Sequence, residues 1–168
     1  MTPVHIWIDG DSCPHIVRQH VYQTAARRAL PVTVVANAPL PEAGPDCLFE
    51  MIVTEQTPDA ADNYISARVH PGDLVITHDI PFAARLIAHG VSVINNRGSE
   101  FTKDTIEQKL RDRAYDLSLA AIGFTGRKQK QYGKKEFAQF APCFERVLNR
   151  VVRERQCYAD GSSAARSG

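Results

Sequence analysis

Ile6-Trp7-Ile8-Asp9-Gly10-Asp11-Ser12-Cys13-Pro14 is the stretch that decides the fold of this chain. A short apolar run ends in two carboxylates one residue apart, and a proline then opens a helical segment. This pattern predicts a buried strand that stops at Asp9 and a strand-to-helix turn that holds Asp11. In an open α/β sheet, ligands bind in the crevice beyond the carboxyl ends of the strands. The two acids therefore form a candidate cation site.

The size and composition of the chain are those of one globular domain. It has 168 residues, of which 43% are hydrophobic and 23% charged, and a formal net charge of +1 that by itself favours no class of partner. The sequence shows neither an apolar run near the roughly 18 residues of a membrane span nor a signal-peptide pattern. The four cysteines are scattered, which favours free thiols: Cys13, Cys47, Cys143 and Cys157. We therefore expect a cytoplasmic protein with no membrane partner.

Apolar runs alternate with helical patterns along the chain. Strands are predicted at 6–8, 32–36, 48–53, 73–77 and 91–94, and helices at 14–29, 57–69, 80–90, 103–121 and from 137 onward. Pro142 is expected to kink the last helix or split it in two. The alternation predicts a three-layer α/β fold with a mostly parallel five-stranded sheet. We expect a single domain over 1–156, followed by a disordered tail over 157–168.

Further acids fall where they can join Asp9. Asp79 follows the fourth predicted strand, and Asp59 and Asp62 lie at the start of the second predicted helix. If the first and fourth strands are neighbours, about 4.8 Å apart, Asp9 and Asp79 converge at one rim of the sheet. Carboxylates that share a site stay ionised only with a cation or a proton between them.

Oxygen-only ligands favour Mg²⁺ or Mn²⁺ over zinc. Such a cation binds phosphate oxygens and lowers the pKa of a bound water, which is the chemistry of phosphodiester hydrolysis. The candidate catalytic residues are Asp9, Asp62 and Asp79, and the candidate metal ligands are Asp9, Asp11, Asp59, Asp62 and Asp79.

Helix capping is the alternative role for most of these acids. Asp11 or Ser12 could cap the first helix, Asp59 and Asp62 are spaced like an N-cap and N3 pair, and Asp79 suits the cap of the third helix. Asp9 ends a strand and has no helix of its own to cap. It is therefore the best single functional candidate.

Candidate substrate contacts lie at strand ends and in a basic segment. They are Asn37, Arg97, Thr102 (which also suits the N-cap of the fourth helix), Lys128 and Lys130. The basic loop, residues 127–135, places five cations and one aromatic in nine residues. That composition suits contact with a nucleic-acid backbone, and a solvated loop is the alternative.

The motifs resemble those of the YaiI/YqxD-like family of small bacterial proteins, whose fold is PIN-like. The most specific block is Gly72-Asp73-Leu74-Val75-Ile76-Thr77-His78-Asp79-Ile80-Pro81, supported by 6–14, 35–37, 59–63, 97–98 with 101–102, and 111–113. The resemblance covers residues 5–126 and implies a PIN-type parallel sheet with acids clustered at one rim. PIN domains are Mg²⁺- or Mn²⁺-dependent nucleases, mostly acting on RNA, and they often pair. The resemblance thus implies a metal-dependent nuclease with a nucleic-acid partner, RNA rather than DNA, and a homodimer.

The chain departs from the family pattern at a few positions. Gly10 and Ser12 stand where the family usually has alanines, and Ser118 stands where it tends to have arginine. The usual Gly-Gly-Pro after Thr125 is reduced to Gly126.

Two other functions compete with a nuclease. Asp9-x-Asp11 after an apolar strand also resembles haloacid dehalogenase-like phosphatases, in which the first Asp is the nucleophile. Their later acidic motif follows its strand, whereas Asp73 here precedes one. The non-enzyme alternative is a catalytically silent PIN-like RNA-binding module, with affinity supplied by the basic loop.

Overall fold

A computed structural model describes residues 2–41, 48–124 and 131–164, with side chains described as far as residue 161. These residues form six strands and five helices. In chain order they are β1 (Ile6–Asp9), α1 (His15–Arg28), β2 (Pro31–Ala36), β3 (Leu48–Val53), α2 (Ala60–Ser66), β4 (Leu74–Ile76), α3 (Ile80–Ala88), β5 (Ser92–Ile94), β6 (Glu100–Phe101), α4 (Lys103–Ala121) and α5 (Lys134–Ala164).

The strands form one sheet in the order β3-β2-β1-β4-β5-β6. All neighbours pair in parallel except β5 and β6. The chain builds outward from the central β1 to β2 and β3, and then returns to the other side of β1 as β4. This reversal makes the gap between the ends of β1 and β4 the switch point, where open α/β sheets bind ligands. The predicted pairing of the first and fourth strands is confirmed.

Alternating side chains of the sheet enter two separate cores. Ile6 and Ile8 of β1 pack with buried residues of α1 and α5, whereas Trp7 packs with those of α2, α3 and α4. Successive residues of a strand point to opposite faces, so one apolar strand supplies both cores. The result is the predicted three-layer α/β arrangement, and it is consistent with a PIN-like fold.

The predicted strand count is wrong by one. Glu100 and Phe101 form β6, which pairs antiparallel with β5 through Phe101 opposite Val93. A strand of two residues carries no period-2 pattern, so the sequence gives no sign of it. The second helix also begins at Ala60 rather than at Thr57.

The last helix is longer than expected. Pro142 lies inside α5, which continues as a single helix and is not split in two. Buried residues on both sides of Pro142, including Phe140 and Phe144, anchor this helix to the core, which offsets the hydrogen bond that proline removes. The helix also extends to Ala164, past residue 157, where the predicted tail begins, and no further proline stands in that stretch to stop it.

Two expectations from composition meet the structure in part. Cys143 and Cys157 are free thiols in the described part of the chain, Cys13 is buried in the core, and Cys47 lies outside the described residues. Of the helices in these ranges, none combines the length and the apolar character needed to cross a bilayer.

Candidate functional site

Asp9 lies at the carboxyl end of β1 and is only 6% exposed. Its Oδ2 accepts hydrogen bonds from the hydroxyls of Thr77 at 2.9 Å and Ser12 at 3.1 Å. Burial raises the pKa of Asp9, and these two hydrogen bonds act against that rise because they favour the ionised form. The structure therefore places a buried carboxylate, held in one orientation, at the switch point.

Asp79 comes from β4, the neighbouring strand, and has two roles. Its Oδ1 accepts a 2.9 Å hydrogen bond from the backbone N–H of Phe82, so it caps α3 as the sequence predicts. Its own N–H donates to the hydroxyl of Thr77 at 3.1 Å. Thr77 thus contacts both Asp9 and Asp79, and capping does not remove Asp79 from the site.

Asp62, in the first turn of α2, is 7% exposed. Burial, followed in order by the negative charges of Asp9, Asp79 and Asp59, raises its pKa to about 7, against a lowering by Arg85. The electrostatic influence of three other carboxylates indicates that all four occupy one region. Burial and the repulsion of these three carboxylates both favour the protonated form of Asp62.

Asp59 occupies the N-cap position of α2, yet its side chain caps no described backbone N–H. Its backbone is left-handed, with φ of 64°, a conformation that costs a residue with a Cβ about 1–2 kcal/mol. The expectation that capping explains Asp59 is therefore wrong. Residues in sparsely populated backbone conformations cluster at functional sites, although Asp adopts this one more readily than most residues.

Asp11 also has a role that the sequence does not predict. Its Oδ1 accepts a 2.9 Å hydrogen bond from the backbone N–H of Asn37, at the end of β2. The N-cap of α1 is Pro14, which has no capping side chain, so neither Asp11 nor Ser12 caps this helix in the described part of the chain. The reason is that the helix starts one turn later than a cap at Asp11 or Ser12 requires.

All five predicted acidic residues line one open cleft of about 280 Å³. We call it the acidic cleft. Among the described residues, it is bordered by Asp9, Asp11, Asp59, Asp62 and Asp79, together with Ser12, Asn37, Thr54, Thr57, Ala60, Ala61 and His78. None of these side chains is a lysine or an arginine. Apart from the imidazole of His78, the charged donors of the cleft are carboxylate oxygens, which a hard divalent cation prefers.

The acids do not stand in a closed metal-binding geometry. Within the described residues, no group of three or more Asp, Glu, His or Cys side chains is arranged to hold a metal ion. The carboxylate donors fit Mg²⁺ or Mn²⁺, and binding would require the acids that line the cleft to rearrange around the ion.

The predicted substrate residues are distributed over several places. Asn37 lines the acidic cleft, and Arg97 lines a neighbouring cavity. Thr102 does not line the acidic cleft among the residues described, and its hydroxyl forms a capping box with Thr105 at the start of α4. Lys128 and Lys130 lie outside the described residues.

Sequence reasoning missed Thr77 and overlooked the hydroxyl of Ser12. Thr77 is 1% exposed and directly follows the three apolar residues of β4. A threonine at the carboxyl end of a buried strand, two residues before an acid, is the signal that could have identified it. Asp73 lies at the opposite end of β4, where it is 1% exposed and pairs with Arg155 at 3.2 Å, so it belongs to a structural network.

Fold and cleft together define a three-layer α/β protein with a carboxylate cluster at its switch point. The family described as "Uncharacterized BCR, YaiI/YqxD family" matches residues 7–150. The chain belongs to this family, as the resemblance predicts.

Similar proteins are found in several bacteria, each under the name UPF0178 protein. The chain is 39% identical over 151 residues to one from Trichlorobacter lovleyi, covering 89% of this chain and 96% of that protein. It is 40% identical over 152 residues to one from Treponema denticola, covering 89% and 95% respectively. It is 36% identical over 150 residues to one from Klebsiella pneumoniae, covering 89% and 98%. No solved structure matches the chain significantly.

Proposed function

We propose that this protein is a divalent-metal-dependent nuclease that hydrolyses phosphodiester bonds in the acidic cleft. One observation carries the proposal. Burial and the charges of Asp9, Asp79 and Asp59 raise the pKa of Asp62 to about 7. Carboxylates under this repulsion are stabilised by a cation between them.

The proposed ligands of Mg²⁺ or Mn²⁺ are the five acids of the cleft. When bound, such an ion binds phosphate oxygens and lowers the pKa of a coordinated water. Asp9 is the most rigid of the ligands, because two hydroxyls hold its Oδ2. Asp79 is fixed through Oδ1 by its bond to Phe82. These two side chains therefore set where a substrate phosphate is held.

Asp62 is the group suited to proton transfer. A general base works best when its pKa is near the operating pH, and the pKa of Asp62 is about 7. In this proposal one oxygen of its carboxylate would hold the ion, and the other would accept the proton of the attacking water. The choice of RNA over DNA follows from the resemblance to PIN domains.

The deciding experiment is cleavage of a mixed pool of end-labelled RNA and DNA with Mn²⁺ or Mg²⁺, and with EDTA. We expect metal-dependent cleavage by the wild type, and a loss of at least 100-fold in Asp9→Asn and in Asp79→Asn. Glu107→Gln removes an exposed carboxylate from α4 and is the matched control, expected to cleave at the wild-type rate. Cleavage that is unchanged in Asp9→Asn contradicts the proposal.

The silent RNA-binding module is the second candidate, because the acids are not arranged to hold a metal ion as they stand in the described residues. It predicts RNA binding without cleavage that survives the double change Asp9→Asn and Asp79→Asn. A phosphatase instead predicts turnover of p-nitrophenyl phosphate that is lost in Asp9→Asn. We rank the phosphatase lower because Asp73 is at the wrong end of β4 and is engaged by Arg155.

Two further properties complete the proposal. The free thiols of Cys143 and Cys157 are compatible with a reducing compartment, so we place the protein in the cytoplasm. Pairing into a homodimer stays a prediction of the family resemblance, and size-exclusion chromatography with light scattering tests it.

A further inference from the structure

A second cavity, of about 310 Å³, adjoins the acidic cleft. Ser12 and His78 line both spaces, so the two are separated by no more than these side chains. The turn before α1, His78 in the loop after β4 and the turn after β5 form its wall, and Tyr132 closes it from the segment before α5. We call it the polar cavity.

The polar cavity differs from the cleft in the charge of its lining residues. None of the described residues that line it is acidic, and Arg97 contributes a permanent positive charge. The N-terminus of α1 adds positive partial charge at this cavity. No acidic residue lies in its first turn, and Pro14 provides no side-chain cap that would offset this charge. An anion entering here meets positive charge directly beside a site suited to a cation.

Arg97 is held at the wall of the cavity. Its guanidinium lies 5.8 Å from the centre of the Tyr132 ring and 3.8 Å from a carboxylate oxygen of Glu136. The side chain remains 40% exposed, so the charge stays accessible. Behind it, Gly98 has φ of 88°, and a Cβ there would lie 2.3 Å from the carbonyl oxygen of Gln139. The turn that carries Arg97 is therefore seated closely on α5.

A chain of hydrogen bonds joins this wall to the cleft. The hydroxyl of Tyr132 donates to the carbonyl oxygen of Asn96 at 2.8 Å, and the Asn96 side-chain amide donates to the carbonyl oxygen of Ser12 at 2.8 Å. The hydroxyl of Ser12 donates in turn to Asp9. Asn96 is 7% exposed, which makes this chain a fixed part of the fold. This chain of hydrogen bonds therefore fixes the position of the polar cavity relative to Asp9 in the acidic cleft.

We propose that the polar cavity binds one nucleoside monophosphate unit of a single-stranded nucleic acid, with the phosphate on Arg97 and the sugar and base against Tyr132. Its volume of about 310 Å³ is at the lower end of the range of about 300–1,000 Å³ seen for small-ligand sites, which suits one nucleotide. An aromatic ring next to an arginine is a common platform for an unpaired base. This inference rests on the proposed function, since it names the strand that the acidic cleft would cut.

The test is to measure the binding of 5′-AMP and 5′-UMP to the full chain by NMR and calorimetry. EDTA is present so that no metal-dependent cleavage occurs. We expect saturable binding with shifts at Asn96 and Tyr132, and competition by inorganic phosphate. Arg97→Gln should weaken binding at least tenfold and Tyr132→Ala several-fold. Arg153→Gln removes an exposed cation of α5 and serves as the control without effect. Asp9→Asn should bind at least as tightly as the wild type, because it removes a neighbouring negative charge.

Three results would overturn the inference: binding that is the same in Arg97→Gln, adenosine that binds as tightly as 5′-AMP, or shifts confined to other surfaces. The outcome is separable from that of the nuclease assay. If mononucleotide binding depends on Arg97 but the protein cleaves no nucleic acid, the polar-cavity proposal is supported and the nuclease proposal is contradicted. The opposite result is cleavage that depends on Asp9, without mononucleotide binding and with an unchanged KM in Arg97→Gln. It supports the nuclease proposal and contradicts the polar-cavity proposal.

Discussion

The hydroxyl of Thr77 donates a 2.9 Å hydrogen bond to Oδ2 of Asp9 and so ties the end of β4 to the end of β1. The same hydroxyl accepts the N–H of Asp79 at 3.1 Å. With Thr77 only 1% exposed, water has little access to replace either bond. One buried side chain thus fixes the relative positions of the two acids that are central to the site.

Replacing Thr77 by Val keeps its shape and removes the hydroxyl. We expect the free energy of unfolding to fall by about 1–3 kcal/mol, because the buried carboxylate of Asp9 and the N–H of Asp79 lose a partner. Thr77→Ser retains the hydroxyl and should lose less. Urea unfolding followed by circular dichroism measures both. A Val variant as stable as the wild type would show that the bond contributes nothing net.

The pH dependence of stability should carry the signature of Asp62. Its pKa is about 7 in the folded protein against an ordinary value of 3.8. The folded state therefore binds this proton more tightly than the unfolded chain does. Between these two values the free energy of unfolding decreases as pH rises, by an amount on the order of 4 kcal/mol (about three pKa units at about 1.4 kcal/mol each), and it levels off above pH 7.

Asp62→Asn should remove this slope and be more stable than the wild type at pH 8. Thermal unfolding from pH 4 to 8 measures the effect, with Asp104→Asn, an exposed acid in the first turn of α4, as the matched control. If Asp62→Asn leaves the pH dependence unchanged, the proton is not held by Asp62.

A divalent cation should stabilise the protein most where the acids are ionised. Ligand binding to the native state adds RT ln(1 + [L]/Kd), or about 2.7 kcal/mol at 100 times Kd. We expect Mn²⁺ to raise the Tm at pH 8, with a smaller rise at pH 5, where protons compete for the carboxylates. Asp9→Asn and Asp79→Asn should abolish the rise, and Glu107→Gln should preserve it. An equal rise in all variants would place the ion elsewhere.

Two substitutions at Asp59 separate the effect of its left-handed backbone from the effect of its negative charge. Asp59→Gly should stabilise the fold by about 1 kcal/mol, since glycine adopts the left-handed conformation at no steric cost. Asp59→Asn keeps a side chain of the same size and removes only the charge. Both changes should lower the pKa of Asp62, measured by NMR titration, and both should weaken Mn²⁺ binding. Full metal affinity in Asp59→Asn would remove Asp59 from the proposed ligands.

Much of the site could be predicted from the sequence, because its acids follow apolar runs. Asp9 and Asp79 end hydrophobic segments, and parallel strands deliver their carboxyl ends to the same rim. The switch point between β1 and β4 was therefore accessible to pattern reasoning. The position of Asp62 could also be predicted from the sequence, since a helix that follows the carboxyl end of a strand begins near that rim.

The rest depends on contacts between residues that are distant in sequence. Whether Asp11 caps α1 or accepts from Asn37 is decided by how β2 ends, which no local pattern records. A threonine such as Thr77 suits a buried strand as well as a functional site. Only its hydrogen bond to Asp9 shows that Thr77 belongs to the site. The two-residue β6 was missed because it is defined by its partner β5 alone.

The parallel pairing of β1 with β4 has a kinetic consequence. Ile6 pairs with Leu74 and Ile8 with Ile76, so this pairing closes a loop of more than sixty residues. Only after that closure do Asp9 and Asp79 approach each other and incur their repulsion. A cation in the cleft would then act on the native state and hardly at all on the transition state for folding. We expect it to slow unfolding while leaving the refolding rate nearly unchanged.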